Sequence, residues 1–189
     1  MDRGQVCDEL VSIALESGAT NARVVAATAV KTDPIYRELC RANACGVYGK
    51  CHTCPPDIGE VETLVAQLKA YDALLVYQRV SALEDSFDFE GMSRARVAQY
   101  ALTKRLRDAL RDRLESPLHL GAGGCGECAV CSKVYNAPCV APDRAIASLE
   151  AYTIDVSALA KESGLAYHSG ANTVTYFGAV FFKWESVRE

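Results

Sequence analysis

Apolar residues recur along this chain with two periods, and the change from one to the other marks out its elements. Between residues 5 and 17, Val6, Leu10, Ile13 and Ala14 fall near one face of a helix, which Gly18 ends. Residues 22–30 (ARVVAATAV) predict a strand. Asp57, with Glu60 three positions on, has the pattern of a capping box ahead of a helix carrying Val61, Leu64, Val65 and Leu68. The apolar run at 73–77 reads as a buried strand. Leu102, Leu106, Leu110 and Leu114 recur every four residues within 92–115, the longest predicted helix, and Pro117 halts it. A short extended segment at 118–120 follows. Helical stretches are expected around 144–151 and 156–161, the second closed by Gly164, and residues 172–182 predict a final strand rich in β-branched and aromatic side chains.

Strands and helices in alternation predict an α/β fold, with a central sheet of about four strands and flanking helices. The 189 residues suit one domain spanning 1–189. Half the residues are apolar, so a core can form without covalent staples. A net charge of -4 argues against general binding to nucleic acid or to a membrane surface. No apolar run approaches the roughly 20 residues of a membrane span, and the first residues lead into an amphipathic segment rather than an apolar leader. The expected location is the cytoplasm.

Nine cysteines change this picture of an ordinary globular chain. The odd count and the absence of an export signal speak against a disulfide framework, and clustering speaks for metal. Only Cys7 stands alone, on the apolar side of the first helix, where it reads as a small buried residue. The sharper cluster is Cys125, Cys128 and Cys131 followed by Cys139. Three thiolates at three-residue steps with a remote fourth, close to Pro142, match the ligand run of a 4Fe–4S cluster. The glycines around it let backbone amides turn toward sulfur. Zinc is the alternative, although its sites more often show paired C-x2-C units farther apart. The other cluster is Cys40, Cys45, Cys51 and Cys54, with a looser spacing and Pro55 after the last thiol. His52 lies inside it, placed to replace a thiolate or hydrogen-bond a cluster sulfur, or else a partly exposed loop histidine. His119 and His168 have no partner spacing.

These residues carry a resemblance. The stretches CRANACGVYGKCHTCPPDIG (40–59), CGECAVCSKVYNAPCVAPDRAIASLEAYTIDV (125–156) and NTVTYFGAVF (172–181) resemble the family of predicted metal-binding proteins catalogued as domain of unknown function 2284. The resemblance implies metal binding without supplying a reaction. It also implies that the first group centres on Cys40, Cys45 and Cys54, beside Tyr48 and Gly49, with Cys51 an added ligand or a free thiol.

The expected function is iron–sulfur binding of an anaerobic, redox or electron-transfer kind, with one or two 4Fe–4S clusters on Cys40, Cys45, Cys51, Cys54, Cys125, Cys128, Cys131 and Cys139. Two alternatives stand beside it: a non-redox enzyme with an open iron at the first group, and a structural zinc protein. Partners would be a redox protein or a small-molecule substrate. Both groups follow predicted strands, so they are expected to meet at one end of the sheet, with Tyr48, His52, Lys133 and Tyr135 nearby and Tyr176 a further candidate for a pocket wall. Glu127 and Lys133 are candidates for tuning the second group. Residues 92–115 carry seven basic side chains against three acidic, +4 on a chain of -4. Solvated arginines with i,i+4 partners (Lys104–Asp108, Arg111–Glu115) are the plain reading, and a docking face for an acidic partner is the other.

Overall fold

The structure, a computed structural model, describes residues 2–188. It contains five strands and five α-helices, joined in places by single turns of 3-10 helix. In chain order these are α1 (Arg3–Glu16), β1 (Asn21–Ala26), α2 (Ile35–Arg41), α3 (Val61–Leu68), β2 (Ala73–Ala82), α4 (Phe89–Leu110), β3 (Leu118–Gly121), β4 (Ala147–Ser148), α5 (Val156–Glu162) and β5 (Thr173–Phe182). The strands form one sheet in the order β1-β2-β5-β3-β4. Every neighbouring pair is antiparallel except β3 and β4.

The two-residue period of the central strands sorts side chains onto two faces. Leu74, Val76, Leu120, Phe177, Ala179 and Phe181 point to one, where α3 and α5 supply Leu64, Leu68, Val156 and Leu159. Ala73, Leu75, Tyr77, Val180 and Phe182 point to the other, against Leu10 of α1 and Leu102, Leu106 and Leu110 of α4. Gly178 is required by this second face. A Cβ there would stand 2.3 Å from the Tyr77 ring, which is fully buried and donates to Thr103 Oγ1 at 2.9 Å.

Several elements differ from the sequence expectation. β1 is shorter, and the chain leaves it through a 3-10 turn at Ala27–Ala29. Helix α2 had no sequence signal. Asp57 does not cap α3: the helix starts at Val61 after Glu60, and Asp57 is bound elsewhere. Helix α4 begins earlier, where Asp88 accepts from the Gly91 N–H at 2.6 Å, and stops at Leu110. Beyond it the C-terminal segment takes over the backbone groups: Glu115 N–H bonds Ser186 and Arg188 N–H bonds Arg113, so Leu114 is buried in a β-bridge to Val187. The expected helix at 144–151 is instead β4 between two 3-10 turns. Four successive buried residues, Ile146–Leu149, favour an extended run pairing with β3 over a one-sided helix. The i,i+4 ion pairs also do not form: Asp108 takes Arg107 and Arg111, and Glu115 takes Arg188. Cys7 is only half-buried. No helix among the described residues is long and apolar enough to cross a membrane.

His119 in β3 is enclosed on the α4 side of the sheet, and its Nδ1 has no hydrogen-bond partner. Burial, helped by the nearby Arg107 charge, lowers its pKa from 6.5 to about 4. The unfolded chain therefore binds a proton below pH 6.5 that the folded chain refuses until about pH 4. Stability should fall as pH drops through that window, by at most roughly 3 kcal/mol at ~1.4 per pH unit. Urea denaturation of the protein and of His119→Leu should show the slope flattened in the variant; equal slopes would contradict the assignment.

Candidate metal centre

The two cysteine groups meet, but not because they follow two strands of one sense. β1 and β3 run in opposite directions through the pairing with β2 and β5, so their carboxyl ends point apart. After β1 the chain runs to the far side of the sheet, where Thr32 bridges Ile154 and the Asp33 N–H bonds Thr153. Helix α2 then packs against the turn at Glu150–Tyr152, directly after β4. That route sets Cys40, on the last turn of α2, beside the ends of the parallel pair β3 and β4. The second group leaves β3 directly. Both groups thus lie at the carboxyl ends of β3 and β4, one delivered by a strand and the other by a helix.

Around these ends the thiols divide between two cavities. Cys40, Cys45 and Cys54 line an open one of about 370 Å3, which Tyr48 and Tyr176 also wall. Cys125, Cys128, Cys131 and Cys139 line a tighter one of about 40 Å3, together with Cys51 and His52. Cys51 is therefore not placed with the first group; it stands in the wall of the second. Cys51 and Cys54 close one turn, and Cys51 Sγ lies 3.3 Å from Thr53 Oγ1. The neighbouring Cys54 thiol pulls the Cys51 thiol well below its ordinary range against the cost of burial, helped by Thr53 and the Cys125 N–H. The nearness of Cys51, and burial, push Cys54 up. Burial raises Cys125 against donation from the Ile146 and Glu127 N–H groups. Burial also raises Cys40, with the Glu150 charge adding to it. Cys7 lines neither cavity. Among the described residues, no three Cys, His, Asp or Glu side chains converge on a single ion-sized point.

The loops are fastened to each other. A ring nitrogen of His52, Nε2, lies 3.0 Å from the Ala137 carbonyl and 3.4 Å from Ser132 Oγ, and Lys133 pairs with Asp57. Lys133 thus closes the two loops together instead of presenting a free charge. Tyr135 is exposed and lines neither cavity.

The second loop is also fastened to α4, which the sequence reading missed. Lys104 donates to the Gly126 carbonyl at 3.0 Å. Glu127 is held between Arg107 at 3.4 Å and Arg144 at 2.8 Å. The Tyr100 ring lies under Gly126. Tyr100, Thr103, Lys104 and Arg107 stand at i, i+3, i+4 and i+7, a helical stripe beside Leu102 and Leu106 that could have marked these basic residues as facing inward.

A mixed sheet covered on both faces, with eight cysteines gathered around two adjoining cavities, defines a cysteine-rich metal-binding protein of α/β fold. The chain belongs to the family of predicted metal-binding proteins named domain of unknown function 2284, whose family model matches residues 23–182. No curated protein and no solved structure matches it.

Gly126 sits at φ +67, and a Cβ there would lie 2.6 Å from the Tyr100 ring. Gly164 has nearly the same φ, +66, and open space around it. Gly164→Ala should therefore cost about 1 kcal/mol from backbone strain alone, and Gly126→Ala about 1–3 kcal/mol more from overpacking. Chemical denaturation checks this, and Tyr100→Leu should rescue much of the second loss. Equal costs at the two glycines would contradict the placement of the loop on α4.

Proposed function

We propose that the chain is an iron–sulfur protein with two 4Fe–4S sites of different kinds. Cys125, Cys128, Cys131 and Cys139 hold one with four thiolates, and Cys40, Cys45 and Cys54 hold the other with three. The observation that carries the proposal is the side on which Cys51 falls: it leaves three thiols around the open cavity and puts five around the tight one. The donor set fits polynuclear iron. The thiols spread around cavity walls, whereas a single zinc ion with Zn–S bonds of about 2.3 Å draws its ligands to one point. Bound there, the clusters supply one-electron transfer at the four-thiolate site and a Lewis-acidic iron at the three-thiolate site.

The chain's own residues give each site its character. Around the tight cavity the His52–Ala137 contact and the Lys133–Asp57 pair fix the two cysteine loops to each other. The N–H groups of Ile146 and Glu127 donate to Cys125, a pattern that favours a thiolate carrying negative charge. The open cavity instead leaves Cys45 exposed at its rim, giving a small molecule a way to the thiol wall. A redox enzyme follows from this division, with electrons delivered at the tight cavity and substrate met at the open one. Cys51 and Cys54, at the two ends of one turn, line one cavity each.

Protein purified and reconstituted without oxygen should contain iron and acid-labile sulfide. Cys131→Ser and Cys54→Ser should each lose about half of it, while Cys51→Ala and Cys7→Ser keep all of it. Stoichiometric zinc without sulfide would overturn the proposal. Loss of half the iron from Cys51→Ala would return Cys51 to the ligand set and close the open site.

A further inference from the structure

The open cavity has a composition that selects its occupant. At about 370 Å3 it falls in the range of small-molecule sites, roughly 300–1,000 Å3. Its lining is mainly apolar, with Val47 and Leu39 among the aliphatic side chains and three tyrosines, Tyr36, Tyr48 and Tyr176. The Tyr176 hydroxyl is engaged elsewhere, donating to the Met92 carbonyl at 3.5 Å, so Tyr176 offers the cavity its ring. Apart from the thiols and the tyrosines, the polar side chains in the wall are Ser148, whose Oγ accepts from the Ala151 N–H at 3.1 Å, and Glu150.

No lysine or arginine is among the described residues that line it. The two cations on α2 are directed elsewhere, Arg37 to the Gly59 carbonyl at 2.6 Å and Arg41 to Glu38 at 2.8 Å. A phosphate or carboxylate here would lose its hydration without gaining a counter-charge, and would sit beside a carboxyl group. Glu150 is closed in by its neighbours yet keeps part of its surface open to the cavity. An anion beside this enclosed carboxyl would be repelled or desolvated without compensation, whereas a neutral polar head can hydrogen-bond it.

We propose that this cavity binds a small uncharged organic molecule with a flat or aromatic body, its hydrogen-bonding head directed at Glu150 and the wall of Cys40, Cys45 and Cys54. Tyrosine rings take the body by stacking or edge contact, and Glu150 selects a neutral hydrogen-bonding head. Nucleotides, phosphorylated metabolites and simple carboxylates are excluded as ligands. The approach of the head to metal rests on the three-thiolate assignment above; the preference for a neutral body does not.

The test is ligand-observed NMR on the reduced, reconstituted protein, using a set of neutral heteroaromatic fragments and matched aryl carboxylates. Binding should be confined mainly to the neutral members and weaken at least about tenfold in Glu150→Leu. It should be lost in Val47→Trp, which narrows the cavity, compared at matched iron content; Ala44→Trp, on the exposed loop, serves if Val47→Trp does not fold. Bound fragments should also show paramagnetic broadening that Cys54→Ser removes. Absence of binding, preference for carboxylates, or binding indifferent to both tryptophan variants overturns the cavity proposal. Neutral binding sensitive to those variants but without broadening keeps the ligand class and removes the metal from beside it.

Discussion

One reverse turn, closed by the Cys54 N–H on the Cys51 carbonyl at 3.0 Å, sends a thiol to each of two cavities. Its residues are Cys51, His52, Thr53 and Cys54, and all four are used. Cys51 faces the tight cavity and Cys54 the open one, while His52 crosses to the second cysteine loop. Because the two thiols stand at the ends of one hydrogen-bonded turn, the separation of the two cavities is set there by backbone geometry. The turn can do this only because the loop it opposes is itself held, by Lys104 and Arg107 from α4 and by Lys133 on Asp57. Packing of α4 on the sheet through Leu102, Leu106 and Leu110 is therefore linked to the position of the cysteines.

The legible parts of the sequence are those where one signal acts alone. The leucine repeat of α4, the β-branched run of β5 and the C-x2-C-x2-C run each stood out because spacing alone carries them. Helix α2 did not, since its seven residues end inside a cysteine group and bury none of their side chains fully. β4 failed for the converse reason: two residues long, it exists through pairing with β3, a tertiary fact. Cys51 belongs to the first group by spacing and lines the tight cavity in the fold, because spacing along the chain says nothing of which way a thiol points. The meeting of the two groups was foreseen, but for a reason the topology removes, since β1 and β3 run oppositely.

Charge on α4 illustrates how composition misleads when read without partners. A surplus of +4 over 92–115 suggested either solvated arginines or a docking face. Four of those seven side chains, Lys104, Arg105, Arg107 and Arg113, instead reach other parts of the chain: Gly126, Ser17, Glu127 and Glu9. Their charge maintains tertiary structure, in keeping with the preference of arginine for carbonyl and carboxylate acceptors.

Two cluster sites adjoining across the Cys51–Cys54 turn are what the proposed function requires. Electron paramagnetic resonance of the reduced protein, prepared without oxygen, tests it most directly. Two neighbouring reduced clusters should give a signal broadened or split by their mutual spin coupling, integrating to about two spins per chain. A single sharp signal of about one spin, or no signal from a protein that holds zinc, would contradict it.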